Sequence, residues 1–402
     1  MIETSSLKPQ ASCAQASNLT RSKLKVAVVV PVYNIEGYLG ECLESVLAQT
    51  HRELEVVVVD DGSTDKSGEI SDDFARRDPR VRVIHKANGG LSDARNAALD
   101  VVTAPFVTFV DGDDVLHPQF VERLLAITQS SQLSAQTSSA HPSSAQALTT
   151  HASMPIAVAR WKKFTREEEI NEERGAISAD TVAAHSTPPS LKPQTSRAHC
   201  SLLTAHCSPL TAHALTAHCS SLTAHALDAQ SALLSIFYQE KITNSACARL
   251  FDTRLFDGLR FPVGRLYEDI AIVYDLVMRA GAVAYLDEPL YYYRQEREGS
   301  ITNRYTPARY DIVEILDDLE TRISAENPTI LPALHSRQAS AAFNLLQLMP
   351  ATEKDRIDHC WGLITARRAA CLRDGRVRLK NKAALVLSFL GKRLTTSLLR
   401  KL

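Results

Sequence analysis

Three carboxylates follow an apolar run toward the end of the first third of the chain. The run Phe106–Val110 is followed by Asp111, Asp113 and Asp114. Such a run fits a parallel strand covered on both faces, and open α/β sheets bind ligands at the carboxyl ends of their strands. Carboxylates this close repel one another unless a cation or hydrogen-bond donors compensate them. A divalent ion completed by substrate phosphates would do so; the alternative is an acidic turn before a helix starting near Pro118.

A second acidic pair, Asp60-Asp61, also ends an apolar run, and strands and helices alternate around both groups. Strands are predicted at Val26–Val30, Leu54–Val59, Val81–Ile84 and Phe106–Val110, and helices at 37–49 and 91–99. Strands that alternate with helices indicate a parallel sheet built from βαβ units. Both acidic groups are therefore expected at the same carboxyl edge of the sheet, which is the main structural argument for a site.

Two low-complexity inserts, residues 130–153 and 178–228, interrupt this pattern. Both are rich in small and polar residues, and the second repeats the string Leu-Thr-Ala-His, beginning at Leu203, Leu210, Leu215 and Leu222. Units this short cannot bury a core, so we expect disorder here. The histidines and cysteines of the repeats suggest zinc, but their spacing fits no finger pattern.

The remainder of the chain mixes element types. A strand is predicted at Ile156–Lys163, a helix at Ile270–Ala280, and helix-like and loop segments over the rest of 233–301. Residues 306–402 are expected to be helical. Their end, from 373 onward, is strongly basic, which is typical of a membrane-surface helix or of a basic helix packed on its own domain.

Composition excludes several classes. The chain has 402 residues and a formal net charge of −1, so no nucleic-acid partner is expected. Residues 1–22 are polar with no apolar core of a secretory signal, and the apolar run Ala383–Leu390 is too short to span a membrane. Eight cysteines without a Cys-x-x-Cys pair suggest reduced thiols. We therefore expect a cytoplasmic protein.

Six motifs, taken together and in order, resemble those of family 2 of the inverting glycosyltransferases. They are Val30–Asn34, Val59–Asp65, Asn88–Asn96, Asp111–Asp114, Tyr267–Asp269 and Pro289–Arg294. Each motif is weak alone, but six in the family's order are specific. The resemblance implies the GT-A fold, an α/β fold with a Rossmann-like, mostly parallel sheet flanked by helices.

The resemblance also implies a domain organisation. A disordered segment 1–23 would precede a glycosyltransferase domain at 24–305, and a helical region would occupy 306–402. Within the domain, residues 24–129 would bind the nucleotide sugar. The acceptor half would comprise 154–177 and 229–305.

A nucleotide diphosphate sugar, most often a uridine diphosphate (UDP) sugar, is the donor that the resemblance implies. Pro31 and Tyr33 would line the base pocket, with the ring of Tyr33 stacking on the base. Asp61 would accept a hydrogen bond from the uracil imide, and Lys86 would lie near the base. Asn34 would contact the ligand or merely cap a helix.

The resemblance assigns the remaining donor-side residues to the sugar and the diphosphate. Asp93 and Arg95 fall in the loop that approaches the ribose and diphosphate. Asp113 would ligate Mn²⁺ or Mg²⁺ directly, and Asp111 would bind the ribose, or the metal through water. Such an ion stabilises the charge that develops on the leaving diphosphate.

The catalytic base implied by the resemblance is Asp269, with Glu268 as the fallback. A positioned base contributes about 10²–10⁴-fold to a rate. The alternative is a pair of acids that favours a helix N-terminus. Cys247 departs from the family pattern, because members often carry tryptophan there, and the long insert enters the acceptor half.

The sequence thus predicts a metal-dependent inverting transferase that moves a sugar to a glycan acceptor. The acceptor would be lipid-linked at the inner membrane face, in exopolysaccharide, capsule or cell-wall glycan assembly. An inactive nucleotide-sugar-binding subunit, or an interaction module formed by the insert, is the alternative. A nucleotidyltransferase is disfavoured, because Pro31–Asn34 replaces the glycine-rich, basic phosphate loop expected after the first strand.

Overall fold

The computed structural model describes residues 24–129, 155–164, 224–295 and 305–400. Residues 1–163 and 224–402 belong to one compact unit, and 164–223 to a second, of which only Phe164 is described. The account below concerns the first unit.

Four parallel strands form the donor half of the sheet. They are β1 (Val26–Val32), β2 (Leu54–Asp60), β3 (Val81–His85) and β4 (Phe106–Phe109), in the spatial order β3-β2-β1-β4. Every residue of β1 is buried, as expected for a β-branched strand covered on both faces. Val32 pairs with Asp60 across β1 and β2, so the carboxyl ends lie at one edge. The predicted strands and α/β fold are confirmed, with strand ends shifted by one or two residues.

Helices connect these strands. They are α1 (Glu36–Leu47), α2 (Ser67–Arg77), α3 (Leu91–Leu99) and, after β4, α4 (Phe120–Thr128). Helix α1 buries Leu39, Leu43 and Val46, the residues at helical spacing. Helix α3 has the bounds that its sequence predicted.

The other side of the sheet is antiparallel. It contains β5 (Val115–Leu116), β6 (Ile156–Phe164), β7 (Ala224–Asp228), β8 (Arg249–Asp252) and β9 (Ala282–Arg294). The order continues from β4 through β8, β6 and β9 to β5, and β7 also pairs with β9. The expectation of helix-like and loop segments over 233–301 is therefore wrong at β8 and β9. Strand β9 was missed because Asp287-Glu288-Pro289 interrupts its apolar pattern.

Strand β7 lies within the predicted insert 178–228. Its five residues pair with Ala282–Leu286 of β9, and the ring of His225 stacks on Tyr285. Backbone pairing with a long neighbouring strand thus orders five residues whose own sequence specifies no strand. The other residues of both predicted inserts, including the remaining repeats, lie outside the described residues.

Helices complete the unit. They are α5 (Ala229–Tyr238), α6 (Glu268–Ala280), α7 (Asp311–Glu326), α8 (Leu331–Leu348), α9 (Lys354–Arg373), α10 (Leu379–Leu387) and α11 (Lys392–Leu399). Helix α8 packs against α5, α7 and α9. The predicted helical C-terminal region is confirmed. Among the described residues, no helix is both long enough and apolar enough to cross a bilayer.

Gly112, in the loop after β4, lies against the end of β1. A Cβ atom there would overlap Ile35 Cδ1 and lie 3.1 Å from the Pro31 carbonyl oxygen. We expect Gly112→Ala to lower the free energy of unfolding by about 1–3 kcal/mol in urea denaturation. Gly37→Ala is the control: it has open space in α1, so its effect should be neutral or stabilising by at most about 1 kcal/mol. Equal destabilisation by both would contradict the steric argument.

Candidate active site

The turn after β2 is fixed by Asp60. Its carboxylate accepts a hydrogen bond from the Ser63 amide at 3.0 Å and pairs with His85 Nδ1 at 2.9 Å. Burial raises the pKa of Asp60, but the hydrogen bonds from Ser63 and His85 outweigh it, so the pKa is lowered. The first acid of the pair therefore serves the turn rather than a ligand.

Asp61 anchors the loop between β3 and α3. This side chain is buried, and it accepts hydrogen bonds from Lys86 Nζ at 2.6 Å and from the amides of Gly89 and Gly90 at 3.0 and 2.7 Å. Lys86 also pairs with Asp93 at 2.5 Å. The structure thus brings three residues of the predicted donor site together, in one network at the carboxyl edge of β2 and β3.

The end of β1 presents Tyr33 to solvent. Pro31 is buried, whereas Tyr33 is 49% exposed. Asn34 adopts a left-handed φ of 50°, and its side-chain oxygen accepts from the Thr64 amide at 2.8 Å. Within the described residues the cap of α1 is Ile35, so the capping alternative for Asn34 is wrong: Asn34 ties the turns after β1 and β2 together.

Arg95, on α3, is the centre of the site. Its side chain is 1% exposed, and its Nη1 atom donates to Glu268 Oε1 and to Asp269 Oδ1, both at 2.8 Å. The Nη2 atom donates to Asp111 Oδ1 at 3.1 Å. One guanidinium therefore joins the loop after β4 to the start of α6. We call Arg95, Asp111, Glu268 and Asp269 the Arg95 cluster.

The walls of the Arg95 cluster are aromatic and apolar. The guanidinium carbon lies 5.8 Å from the Phe109 ring centroid and 5.3 Å from that of Phe261. Cys247 Sγ is 3.9 Å from Nη2, and burial, then the charge of Asp111, raises the pKa of its thiol. The departure from the family's tryptophan therefore places a neutral thiol against the cluster.

The charges of the cluster are coupled. Burial, and then the charge of Asp269, raises the pKa of Glu268 to about 7, against the opposing effect of Arg95. Burial lowers the pKa of Arg95, but Asp269 and Asp111 outweigh it and the pKa lies well above its usual value. The guanidinium is thus permanently charged, while Glu268 exchanges its proton near neutral pH.

The acids after β4 divide into two kinds. Asp114 is fully buried and accepts hydrogen bonds from Tyr291 Oη at 2.6 Å and from the Arg294 amide at 2.8 Å. Burial, and then the charges of Asp111 and Asp113, raises its pKa well above the usual value. Asp114 is therefore structural, a role that its position in the motif did not predict. Asp111 and Asp113 are partly exposed.

Asp111 and Asp113 suit a hard divalent ion. No group of three or more His, Cys, Asp or Glu side chains in the described residues could hold a metal by itself. Mg²⁺ is commonly bound by one or two carboxylates, with substrate phosphates and water completing its shell. Two partly exposed carboxylates whose charges raise the pKa of Asp114 fit that donor set.

Comparison with known proteins gives concordant results. Residues 27–183 match the family model "Glycosyl transferase family 2". The chain is 45% identical over 108 residues to the uncharacterized glycosyltransferase EpsJ of Bacillus subtilis (strain 168), covering 27% of this chain and 31% of EpsJ. It is 30% identical over 286 residues to glycosyltransferase GlyA of Streptococcus pneumoniae, covering 70% of this chain and 32% of GlyA. The matches thus span about a third of these relatives' length.

The crystal structure of residues 1–349 of S. aureus TarS in complex with UDP-GlcNAc has a similar fold. The TM-score is 0.54 at 19% sequence identity, over 94% of this chain and 91% of that chain. This likeness concerns the fold, which is GT-A. With six motifs in order, a matching family model and glycosyltransferase relatives, the chain belongs to family 2 of the glycosyltransferases.

Proposed function

We propose that this protein is an inverting glycosyltransferase that moves a sugar from a nucleotide diphosphate donor to a hydroxyl of a glycan acceptor. The observation that carries the proposal is the Arg95 cluster. It holds Asp269, the proposed base, and Asp111, a proposed donor-side acid, on the two nitrogens of one buried guanidinium. Base and donor site are thereby fixed relative to each other.

The donor side suits a uridine nucleotide. The exposed ring of Tyr33 offers a stacking face beside Pro31. Asp61 uses three of the roughly four acceptor positions of a carboxylate on Lys86 and the loop amides, which leaves one for an imide N–H. The TarS structure with UDP-GlcNAc shares this fold, so UDP sugars are the first donors to test.

The diphosphate side would be completed by a divalent ion. Asp113 would hold Mn²⁺ or Mg²⁺ directly and Asp111 through water or the ribose. When bound, the ion would stabilise the charge that develops on the diphosphate as a Lewis acid. Arg95 was expected to approach the ribose and diphosphate. Its burial supports an indirect role instead, in which it positions Asp111.

Asp269 would act on the acceptor. Arg95 binds its Oδ1 atom, and Oδ2 has no hydrogen-bond partner in the part of the chain that the structure describes. Oδ2 would take the proton of the acceptor hydroxyl while the hydroxyl oxygen attacks the anomeric carbon of the sugar. The bond from that carbon to the phosphate breaks on the opposite face, and the nucleoside diphosphate leaves. Direct displacement of this kind inverts the anomeric configuration.

The biological setting is part of the same proposal. We place the reaction in exopolysaccharide, capsule or cell-wall glycan assembly, on a lipid-linked acceptor at the inner face of a membrane. The protein would be cytoplasmic, with peripheral contact through its basic C-terminal region. The rival, an inactive nucleotide-sugar-binding subunit, would bind a donor without turning it over.

Transfer and donor binding should separate at Asp269 and Asp113. With a panel of nucleotide sugars and Mn²⁺, Asp269→Asn should lower kcat by about 10²–10⁴-fold and leave donor binding intact.

Asp113→Asn should abolish the metal dependence of binding and lower transfer at least a hundredfold, since Lewis-acid stabilisation is worth several kcal/mol. Asp318→Asn, an exposed acid on α7, is the control. Donor binding by the wild type without any turnover would favour the rival.

Removal of the guanidinium should destabilise the protein. Arg95→Met leaves the buried Glu268 and the partly exposed Asp111 and Asp269 without their cation, and it should lower the free energy of unfolding by about 3–5 kcal/mol. Arg260→Met removes an exposed pair with Asp100, at 2.9 Å, and should cost at most about 1 kcal/mol. Arg95→Lys keeps the charge and should recover part of the stability. Because lysine has one nitrogen in place of two, this variant should recover donor binding more fully than kcat. Similar losses at Arg95 and Arg260 would refute a central role for the cluster.

The raised pKa of Glu268 predicts a pH dependence of stability. Its folded-state pKa of about 7 exceeds the ordinary value of about 4.3, so protonation stabilises the fold. That contribution is complete below about pH 4 and is lost as the pH rises through about 7. Relative to Glu268→Gln, the wild type should lose roughly 3–4 kcal/mol of unfolding free energy across that range, measured by urea denaturation. Parallel pH profiles for the two proteins would contradict this.

A further inference from the structure

Exposed apolar side chains are concentrated at the C-terminal end of the described chain. Of the eleven large apolar side chains that are exposed in the described residues, six lie between positions 379 and 398. Their exposed fractions range from 40% to 85%. Apolar residues scattered singly over a surface are ordinary, but a contiguous group marks an interaction site. We call this group the C-terminal apolar patch: Leu379, Val386, Phe389, Leu390, Leu394 and Leu398.

This segment has apolar side chains on its outer face, and its buried face contains hydroxyl side chains beside Leu385 and Leu399. Ser388 and Thr395 are 1% and 0% exposed, and their hydroxyls donate to the carbonyls of Leu385 and Leu387 at 2.6 and 2.9 Å. Leu394 and Leu398 are four residues apart on α11, which places them on one outward side of that helix, and Leu390, just before it, is also exposed. A helix that faces only water shows the opposite arrangement. The outer face therefore suits an apolar medium.

The patch is bordered by positive charge. Residues 375–400 contain seven cations and no acid. Lys380, Lys382 and Arg393 have no ion-pair partner within residues 24–129, 155–164, 224–295 and 305–400, whereas Arg376 and Lys392 pair with Glu240 and Asp358. Cations without an ion-pair partner in the described residues thus lie beside exposed leucines in the sequence and are available to contact an anionic surface.

We propose that the C-terminal apolar patch docks this protein onto a bilayer with anionic headgroups. Helices α10 and α11 would lie parallel to the surface, with Phe389, Leu390 and Leu394 at the boundary between headgroups and acyl chains. Lys380, Lys382 and Arg393 would contact lipid phosphates. The inference deepens the proposed function, because docking would bring the active site to the membrane that holds the lipid-linked acceptor. The biological purpose of docking rests on the proposed function. Docking itself does not, because vesicle binding requires no catalysis.

A second copy of the chain fits this surface less well. In a two-fold dimer the same residues meet themselves. Lys380, Lys382 and Arg393 would then face an equally basic surface with no acid between residues 375 and 400 to pair with. Charge complementarity therefore favours the anionic bilayer.

The test is co-sedimentation of the full chain with vesicles. Vesicles of phosphatidylcholine alone are compared with vesicles containing about one third phosphatidylglycerol, at low and high salt. We expect binding to the anionic vesicles only, weakened by salt. The variant Phe389→Ser/Leu390→Ser/Leu394→Ser should bind at least tenfold more weakly, and so should Lys380→Glu/Lys382→Glu/Arg393→Glu.

Controls keep the outcomes distinct. Met278→Ser/Leu348→Ser alters two side chains that are 39% and 40% exposed outside the patch, and it should bind vesicles like the wild type. Donor binding by each variant shows that it is folded, and a failure of donor binding in the wild type would bear on the transferase proposal alone. Equal vesicle binding by wild type and patch variants would overturn the inference. A dimer in light scattering that the patch variant abolishes would assign the surface to a second copy and overturn it also.

Discussion

The site depends on one buried cation. Arg95 is 1% exposed and is paired with Asp111, Glu268 and Asp269, which lie 16, 173 and 174 residues away in the sequence. A buried guanidinium is costly without partners, and so are buried carboxylates without it. The cluster is therefore stable only when the parallel strands, the loop after β4 and the start of α6 are assembled together. Its chemistry and its folding have the same requirement.

The two acidic motifs solve the same problem in the same way. In each motif one acid has a structural role. Asp60 stabilises its own turn and pairs with His85, and Asp114 accepts hydrogen bonds from Tyr291 and from the backbone of β9. These internal pairs fix the strand ends. After β4 the neighbouring Asp111 and Asp113 are partly exposed, whereas Asp61 after β2 is buried and holds the next loop. The edge thereby tolerates repulsion among carboxylates that a bound cation would relieve.

Local patterns predicted the parallel half and failed where partners are distant. The β-branched runs and the helix at Leu91–Leu99 are specified within a few residues, and they appear with nearly the predicted bounds. Strand β7 and the position of Arg95 depend on contacts with β9 and α6, which no short window of sequence contains. Motif order predicted Asp269 as the base and Glu268 as the fallback, and the fold adds that a guanidinium joins both to Asp111.

The C-terminal region shows the same limit in its surface. Its periodicity predicted helices, and its charge left two interpretations, a surface helix or a helix packed on its own domain. One face is packed on its own domain, because Leu385 and Leu399 are buried, and the other face is open, because Val386 and Leu398 are exposed. Helical spacing reports that apolar residues share a side, but not which side is covered. This segment is basic and has apolar side chains on both faces. One face packs on its own domain, and the other face remains available to a partner.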